Sequence, residues 1–155
     1  MPPAPGLPLL CPVCRNGLRF SCGARTLVCG AGHSFDAARQ GYFNFLVGKG
    51  TVFESDSADM VAARFEFLSA GHYQQLADIV AGFATPALLD APAGRPAVLD
   101  AGTGTGHYLR AVLDRAGTGV PIAAIGLDIS KFALRRAARM NPDAVNVVGD
   151  VWQPL

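Results

Sequence analysis

Residues 97–107 read Ala97-Val98-Leu99-Asp100-Ala101-Gly102-Thr103-Gly104-Thr105-Gly106-His107. A short apolar run ends in an acid, three glycines follow at alternate positions, and Leu109, Val112, Leu113 and Ala116 then recur at helical spacing. The alternation continues downstream. Ile122 to Leu127 is a second apolar run ending in Asp128, Lys131 to Met140 is helical, and Asn141-Pro142 stops it. Ala144 to Val148 is a third apolar run, followed by Gly149-Asp150. Strands alternating with helices predict a βαβαβ unit with a parallel sheet, an α/β fold. A doubly wound sheet has two such halves, in strand order 3-2-1-4-5-6. The pattern here supplies the first half, so strand 97–101 is expected to present a bare edge. The chain accordingly reads as part of a larger gene product. By itself it is expected to be unstable, to aggregate, or to borrow a partner's edge, as in a homodimer.

Upstream, Asp56 or Ser57 is placed to cap a helix, because a short side-chain oxygen takes an orphan N–H. Met60, Ala63, Arg64, Phe67 and Leu68 follow at helical spacing, and Gly71 is a natural stop. A second helix puts Tyr73, Leu76, Ala77, Val80 and Phe83 on one side, and Pro86, Pro92, Gly94 and Pro96 mark a loop. The organisation read from these signals is a small module over 1–47, a linker with helices over 48–95, and an α/β ligand-binding unit over 96–155.

Composition narrows the class. Hydrophobic residues make up 50% of the 155 and charged residues 16%, which excludes a disordered chain. Mean hydropathy is +0.28, yet no apolar run reaches the ~18 residues of a membrane span. The first ten residues lack the basic start of a signal peptide. A cytoplasmic protein that does not engage membranes is expected. Charge is split unevenly: residues 1–50 carry Arg15, Arg19, Arg25, Arg39 and Lys49 against Asp36 alone, while the rest holds more acids than bases. A basic module on an acidic body points to a polyanionic partner for the module.

The four cysteines fit metal chemistry better than disulfides in such a chain. Cys11-Pro12-Val13-Cys14 is a C-x2-C knuckle, and Cys29 to His33 is C-x3-H after fourteen intervening residues. Zinc takes four such ligands in a tetrahedron, and a closed set of four makes the site structural rather than catalytic. The module looks too small for a core of its own, so metal binding is expected to supply its folding energy. Cys22 has no chelating neighbour and reads as a non-ligand.

The glycine loop sits where α/β sheets bind ligands, at the carboxyl ends of the strands. A dinucleotide site wants G-x-G-x-x-G, whose third glycine would fall on position 107, here His107. A nucleoside ligand without pyrophosphate tolerates Gly102, Gly104 and Gly106, and Asp100 beside them suits a cationic amine. Both favour S-adenosylmethionine over NAD. Asp128, at the next strand end, can accept both hydroxyls of a ribose, and Asp150, at the third, can approach an adenine amine.

With these motifs in place, the segments CPVC, CGAGHSFDAARQGYFNFL, DSADMVAARFEFLSAGHYQQL and VLDAGTGTGHYL together resemble the bacterial 23S rRNA (guanine-N1)-methyltransferases. LDISKFALRRAARMNP and the terminal GDVW are most similar to the actinobacterial branch, which includes tylosin- and mycinamicin-resistance enzymes. The resemblance spans residues 9–155. It implies a small N-terminal zinc-binding module followed by the first half of a Rossmann-like class I methyltransferase domain. It implies zinc on Cys11, Cys14, Cys29 and His33, and S-adenosylmethionine contacts from Tyr73, Tyr108 and Leu109. It implies a 23S rRNA hairpin as partner, guanine N1 as the methylated atom, and a link to antibiotic resistance. The family continues for roughly another hundred residues, which usually shape the base pocket, so the catalytic residues are expected outside this chain. The module is expected to grip RNA with Arg15, Arg19, Arg25 and Arg39. Phe20, Phe35, Tyr42 and Phe43 are candidates for base stacking, though a small core around the metal explains most of them better. The alternative is a zinc-dependent RNA-binding module carrying a non-catalytic nucleotide-binding fold.

Overall fold

The computed structural model describes residues 9–21, 23, 25–46, 55–91, 96–119 and 121–152. Cys22 lies outside the described residues. The chain opens with a three-stranded antiparallel sheet of β1 (Leu18–Phe20), β2 (Thr26–Cys29) and β3 (Ser34–Asp36). Next come β4 (Tyr42–Asn44) and the helices α1 (Ala58–Ser69) and α2 (Gln74–Leu89). The expected βαβαβ unit follows as β5 (Ala97–Ala101), α3 (His107–Ala116), β6 (Ala123–Asp128), α4 (Lys131–Met140) and β7 (Val145–Val148).

The second sheet is parallel in order β4-β7-β6-β5. The last three are the 3-2-1 half predicted from the sequence, and β5 is an edge, with Leu99 53% exposed. The fourth strand was not foreseen. β4, within the span assigned to the metal module, pairs in parallel with β7 through Tyr42 and Asn146, Phe43 and Val147, and Asn44 and Val148.

Side-chain alternation along β6 and β7 assigns the faces. Ala124 and Ala144 pack with Leu109 of α3, and Val148 joins Ala133, Leu134 and Ala137 of α4. Ile125, Leu127, Val145 and Val147 point the other way. There they form one buried cluster with Leu9, Cys11, Leu18, Leu27, Cys29, Phe43 and Phe45. The expectation of a coreless module is therefore corrected. Its apolar residues close on the helix-free face of the parallel sheet, and the two parts share a core. Phe35 packs on Phe45 at 5.0 Å between centroids, and Phe20 meets Phe43 edge-on at 6.0 Å.

Local signals place the helices. The Ser57 hydroxyl accepts the Met60 N–H at 3.2 Å, and Ser130 accepts the Ala133 N–H at 3.3 Å, so each caps its helix. Gly71 ends α1 with φ +83°, a left-handed turn that glycine adopts without strain. Two details depart from the apolar pattern. Helix α2 buries Ala77, Ala81, Thr85 and Leu88 and leaves Leu76, Val80 and Phe83 exposed. Small side chains let α2 approach α3 closely, where Val112 packs with Ala81 and Leu88. Pro86 stands inside α2 rather than in a loop. Near the helix end its missing donor forfeits one bond, while Ala84 and Leu88 on either side anchor the turn in the α2–α3 contact. Among the described residues, no helix is long and apolar enough to cross a membrane.

Phe43 is 4% exposed and belongs at once to the sheet and to the shared core. Truncating it as Phe43→Ala should cost about 3–5 kcal/mol. Loss of signals from the N-terminal module and from the parallel sheet should coincide in a denaturant titration followed by circular dichroism and by metal release.

Candidate metal centre and ligand cleft

Two chain reversals build the metal centre. In the first, the Cys11 N–H donates to the Asn16 carbonyl at 2.8 Å, and the Arg15 N–H to the Cys11 carbonyl at 2.9 Å. Arg15 takes a left-handed φ of 62° to complete the knuckle. In the second, the Gly32 N–H donates to the Cys29 carbonyl at 3.2 Å and the Cys29 N–H to the His33 carbonyl at 3.0 Å. The turn aims both side chains inward.

The four predicted ligands converge, with their donor atoms all within 4.8 Å of one another. Cys14 and Cys29 Sγ are 3.6 Å apart, and His33 Nδ1 is 3.6 Å from Cys11 Sγ and 3.4 Å from Cys29 Sγ. A tetrahedral zinc with Zn–S ≈ 2.3 Å and Zn–N ≈ 2.0–2.1 Å separates neighbouring ligand atoms by about 3.5–3.8 Å. Geometry and donor set therefore fit zinc. Burial pushes the Cys29 thiol up, but N–H groups of His33 and Ala31 and the His33 ring outweigh it and bring it down to about 6. For Cys14, the Asn16 N–H acts downward, yet burial and the neighbouring sulfurs of Cys11 and Cys29 leave it raised. A divalent cation removes that mutual repulsion.

At the carboxyl ends of the parallel strands, Gly102, Gly104 and Gly106 have φ of +81°, +56° and +87°, so the alternating glycines serve backbone geometry. A Cβ on Gly102 would meet nothing within 4 Å, leaving its backbone open to a ligand. Gly106 differs: a Cβ there would stand 2.5 Å from Asn141 Nδ2 and 3.1 Å from Ala137 Cα. The loop is pinned from several sides. The Gly102 and Thr103 N–H groups donate to the Leu127 carbonyl at 2.8 and 2.9 Å. The Thr103 hydroxyl donates to Asp100 Oδ2 at 2.7 Å. Asp128 accepts the Gly104 N–H on Oδ2 and the Ser130 N–H on Oδ1, both at 2.8 Å.

Two clefts share Arg64 as a wall, and the loop lines one of them. One, of about 160 Å³, is lined by Gly104, Thr105, Asp128, Ser130 and, from α1, Val61 and Arg64. The other, of about 320 Å³, lies between Arg64, Phe67, Leu68, Tyr73 and Tyr108. Of the residues singled out in the sequence, Gly104 and Asp128 line the first cleft and Tyr73 and Tyr108 the second, with Arg64 bordering both. Asp100 stands behind the loop, where burial raises its carboxyl, the Thr103 hydroxyl opposes this, and the Asp128 charge adds to it. Two strand-end carboxylates that repel one another favour a cation beside them. Leu109 is 1% exposed in the core, so its side chain is turned from the cleft. Asp150 Oδ1 accepts the Trp152 N–H at 3.0 Å and orders the turn after β7.

Three features escaped the sequence. Arg64, in a helix pattern read as packing, lines both clefts and pairs with Asp56 at 3.4 Å. His107 joins Thr105 Oγ1 at 2.9 Å and Ser69 Oγ at 3.2 Å, tying α1 to the loop, and burial lowers its pKa. Asn141 and Asn146 are both buried, and Asn141 Nδ2 donates to the Gly106 carbonyl at 2.9 Å. An asparagine inside an apolar run was the available signal for Asn146.

Cys14→Ala should abolish stoichiometric zinc binding and, because Cys11 and Cys29 lie in the shared core, lower the melting temperature of the whole described fold. Cys22→Ala should retain the metal. Zinc content by atomic emission, with thermal melts of each variant, checks both.

Residues 9–47 match the family model described as the RlmA N-terminal zinc ribbon. A Micromonospora griseorubida protein assigned as a 23S rRNA (guanine-N1)-methyltransferase is 47% identical over 95% of this chain and 52% of its own length. The 23S rRNA (guanine(748)-N(1))-methyltransferase of Streptomyces fradiae is 47% identical over 95% of this chain and 50% of its own. Bacillus subtilis YxjB, of the same assigned class, is 30% identical over 91% of this chain and 49% of its own. The chain spans about half the length of these curated relatives. It is a zinc ribbon joined to a parallel α/β unit, similar over nearly all its length to actinobacterial 23S rRNA (guanine-N1)-methyltransferases.

Proposed function

We propose that this chain carries the RNA-gripping ribbon and the methyl-donor site of an S-adenosylmethionine-dependent methyltransferase acting on guanine N1 of a 23S rRNA hairpin. The observation that carries the proposal is the pair of clefts joined at Arg64, with Gly104 and Asp128 on one side and Tyr73 and Tyr108 on the other.

The residues fit the donor. Each Asp128 oxygen uses one acceptor position on a backbone N–H and keeps another for a ribose hydroxyl. Gly102 leaves its backbone accessible. Aromatic rings attract a positive centre, which suits Tyr73 and Tyr108 in the second cleft, and Asp128 in the first, with Asp100 coupled to it, adds negative charge. Asp150, at the third strand end, suits the adenine amine. S-adenosylmethionine supplies an electrophilic methyl group on sulfur. Guanine N1 is protonated at neutral pH, so a base or a donor that stabilises the enolate is required. No described residue is assigned that role.

On the ribbon, Arg15, Arg19, Arg25 and Arg39 are all exposed and suited to the phosphates of a hairpin recognised by shape. The β5 edge, with Leu99 outward, is suited to a further parallel strand. We assign that strand to sequence of the kind the longer relatives contain, with a second copy of the chain as the other source. The compartment is the cytoplasm, where ribosomes are assembled, and macrolide resistance is the physiological outcome to examine.

Calorimetry of the chain with S-adenosylmethionine tests the cleft. The chain should bind it, and Asp128→Ala should weaken binding by one to two orders of magnitude, as expected for losing charge-assisted hydrogen bonds of ~1.5–3 kcal/mol. Binding unchanged by Asp128→Ala, or hairpin binding by a chain that ignores the methyl donor, would defeat the proposal and favour a purely RNA-binding module.

A further inference from the structure

The outer face of α4 has no part in the site described above. The helix reads KFALRRAARM, four cations and no acid in ten residues. Beyond residue 50 the chain holds eight Lys and Arg against eleven Asp and Glu, so half the cations of an acidic body stand on this one helix. None is paired with a carboxylate: the ion pairs among the described residues are Arg64–Asp56 and Arg110–Asp114. Three of the four stand over aromatic rings instead. Lys131 Nζ and Arg135 Cζ lie 5.6 and 5.3 Å from the Phe132 centroid, and Arg136 Cζ lies 4.8 Å from that of Phe65.

Helix stability does not account for the row. A cation in the last turn, such as Arg139, complements the helix dipole, but Lys131 sits in the first turn, where the dipole opposes it.

The row also continues onto the ribbon. Phe132 packs in one cluster with Ala38, Tyr42 and Leu46. A Cβ at Gly41 would stand 3.8 Å from Ala138 Cβ, so the turn leading into β4 lies against α4. Arg25 donates to the Ala38 carbonyl at 3.2 Å across that turn, and Arg39 is exposed on it. Ribbon cations and α4 cations therefore border the same turn at the β4 edge of the sheet, with Asp128 and Ser130 at the start of α4 belonging to the ligand cleft.

We propose that Lys131, Arg135 and Arg139, contiguous with Arg25 and Arg39, form a second RNA surface that takes the phosphate backbone of the stem below the hairpin held by the ribbon. The proposal rests on the reading that the chain serves rRNA. On this view α4 fixes the direction in which the stem leaves the ribbon, and so how the loop is presented to the cleft.

The test compares the wild-type chain with the Lys131→Gln/Arg135→Gln/Arg139→Gln variant and with a second variant carrying Arg135→Lys and Arg139→Lys. The probe is a 23S rRNA stem-loop with a long lower stem, alongside the same loop on a short stem, followed by fluorescence anisotropy across a salt series. For the long stem the glutamine variant should bind at least tenfold more weakly. Its plot of log affinity against log salt should be shallower by about 2–3, at ~0.7–0.9 per lost phosphate contact. The short stem should show little change, and the lysine variant should bind nearly as wild type does. Equal affinity and slope for wild type and a glutamine variant of unchanged melting temperature would overturn the proposal. So would binding to phosphatidylglycerol vesicles in place of RNA, or no RNA binding by the wild type. Calorimetry with S-adenosylmethionine, expected to be the same for all three proteins, reports on the methyl-donor reading separately.

Discussion

Everything in this chain depends on how the helix-free face of a parallel sheet is covered. Parallel strands are normally buried on both sides, because their crossover helices and a second layer shield them. Here α3 and α4 cover one side, and the ribbon covers β6 and β7 on the other through Ile125, Leu127, Val145 and Val147. Two ligands of the metal centre, Cys11 and Cys29, are members of that same cluster. Each aliphatic side chain so buried contributes about 1.5–3 kcal/mol. The ribbon is thus a layer of the α/β fold, and the metal that shapes it also holds a wall of the sheet in place.

The ligand cleft, at the carboxyl ends of the strands, is built by a different balance. Gly102 and Gly104 open the backbone, while Asp128, Asn141 and Thr103 close hydrogen bonds around it. Asn141 and Asn146 are costly residues to bury, and each leaves its side-chain oxygen without a partner among the described residues. Their amide groups nevertheless join the end of α4, the approach to β7 and the Gly106 carbonyl into one support. The loop that would meet a ligand is therefore held in part by Asn141 and Asn146, which line neither cleft.

Much of this was legible in the sequence. The C-x2-C and C-x3-H pairs pointed to the four residues whose donor atoms cluster, because chelation demands close spacing. The βαβαβ unit was readable from apolar runs that end in Asp100, Asp128 and Gly149-Asp150. What stayed hidden was non-local. Tyr42-Phe43-Asn44 is too short to announce a strand, and its partner is set by pairing across the chain rather than by pattern. The packing face of α2 was misjudged because large apolar residues dominate a periodicity, whereas Ala77 and Ala81 make the contact. Arg64 and His107 show the same limit: helical spacing says which side of a helix they occupy, and only the fold says what stands opposite.

The pairing of β4 with β7 also bears on how the molecule is made. Tyr42 finds its partner in Asn146, about a hundred residues later in the chain. Contacts so distant in sequence raise the contact order and slow folding, since a long loop must close before they reward it. During synthesis the ribbon emerges early, with its metal ligands complete but one flank of its apolar cluster waiting for Val145 and Val147. Until β7 leaves the ribosome, Phe43 and Phe45 lack Val145 and Val147 beside them. That interval is when a nascent chain of this architecture is most exposed to misassembly.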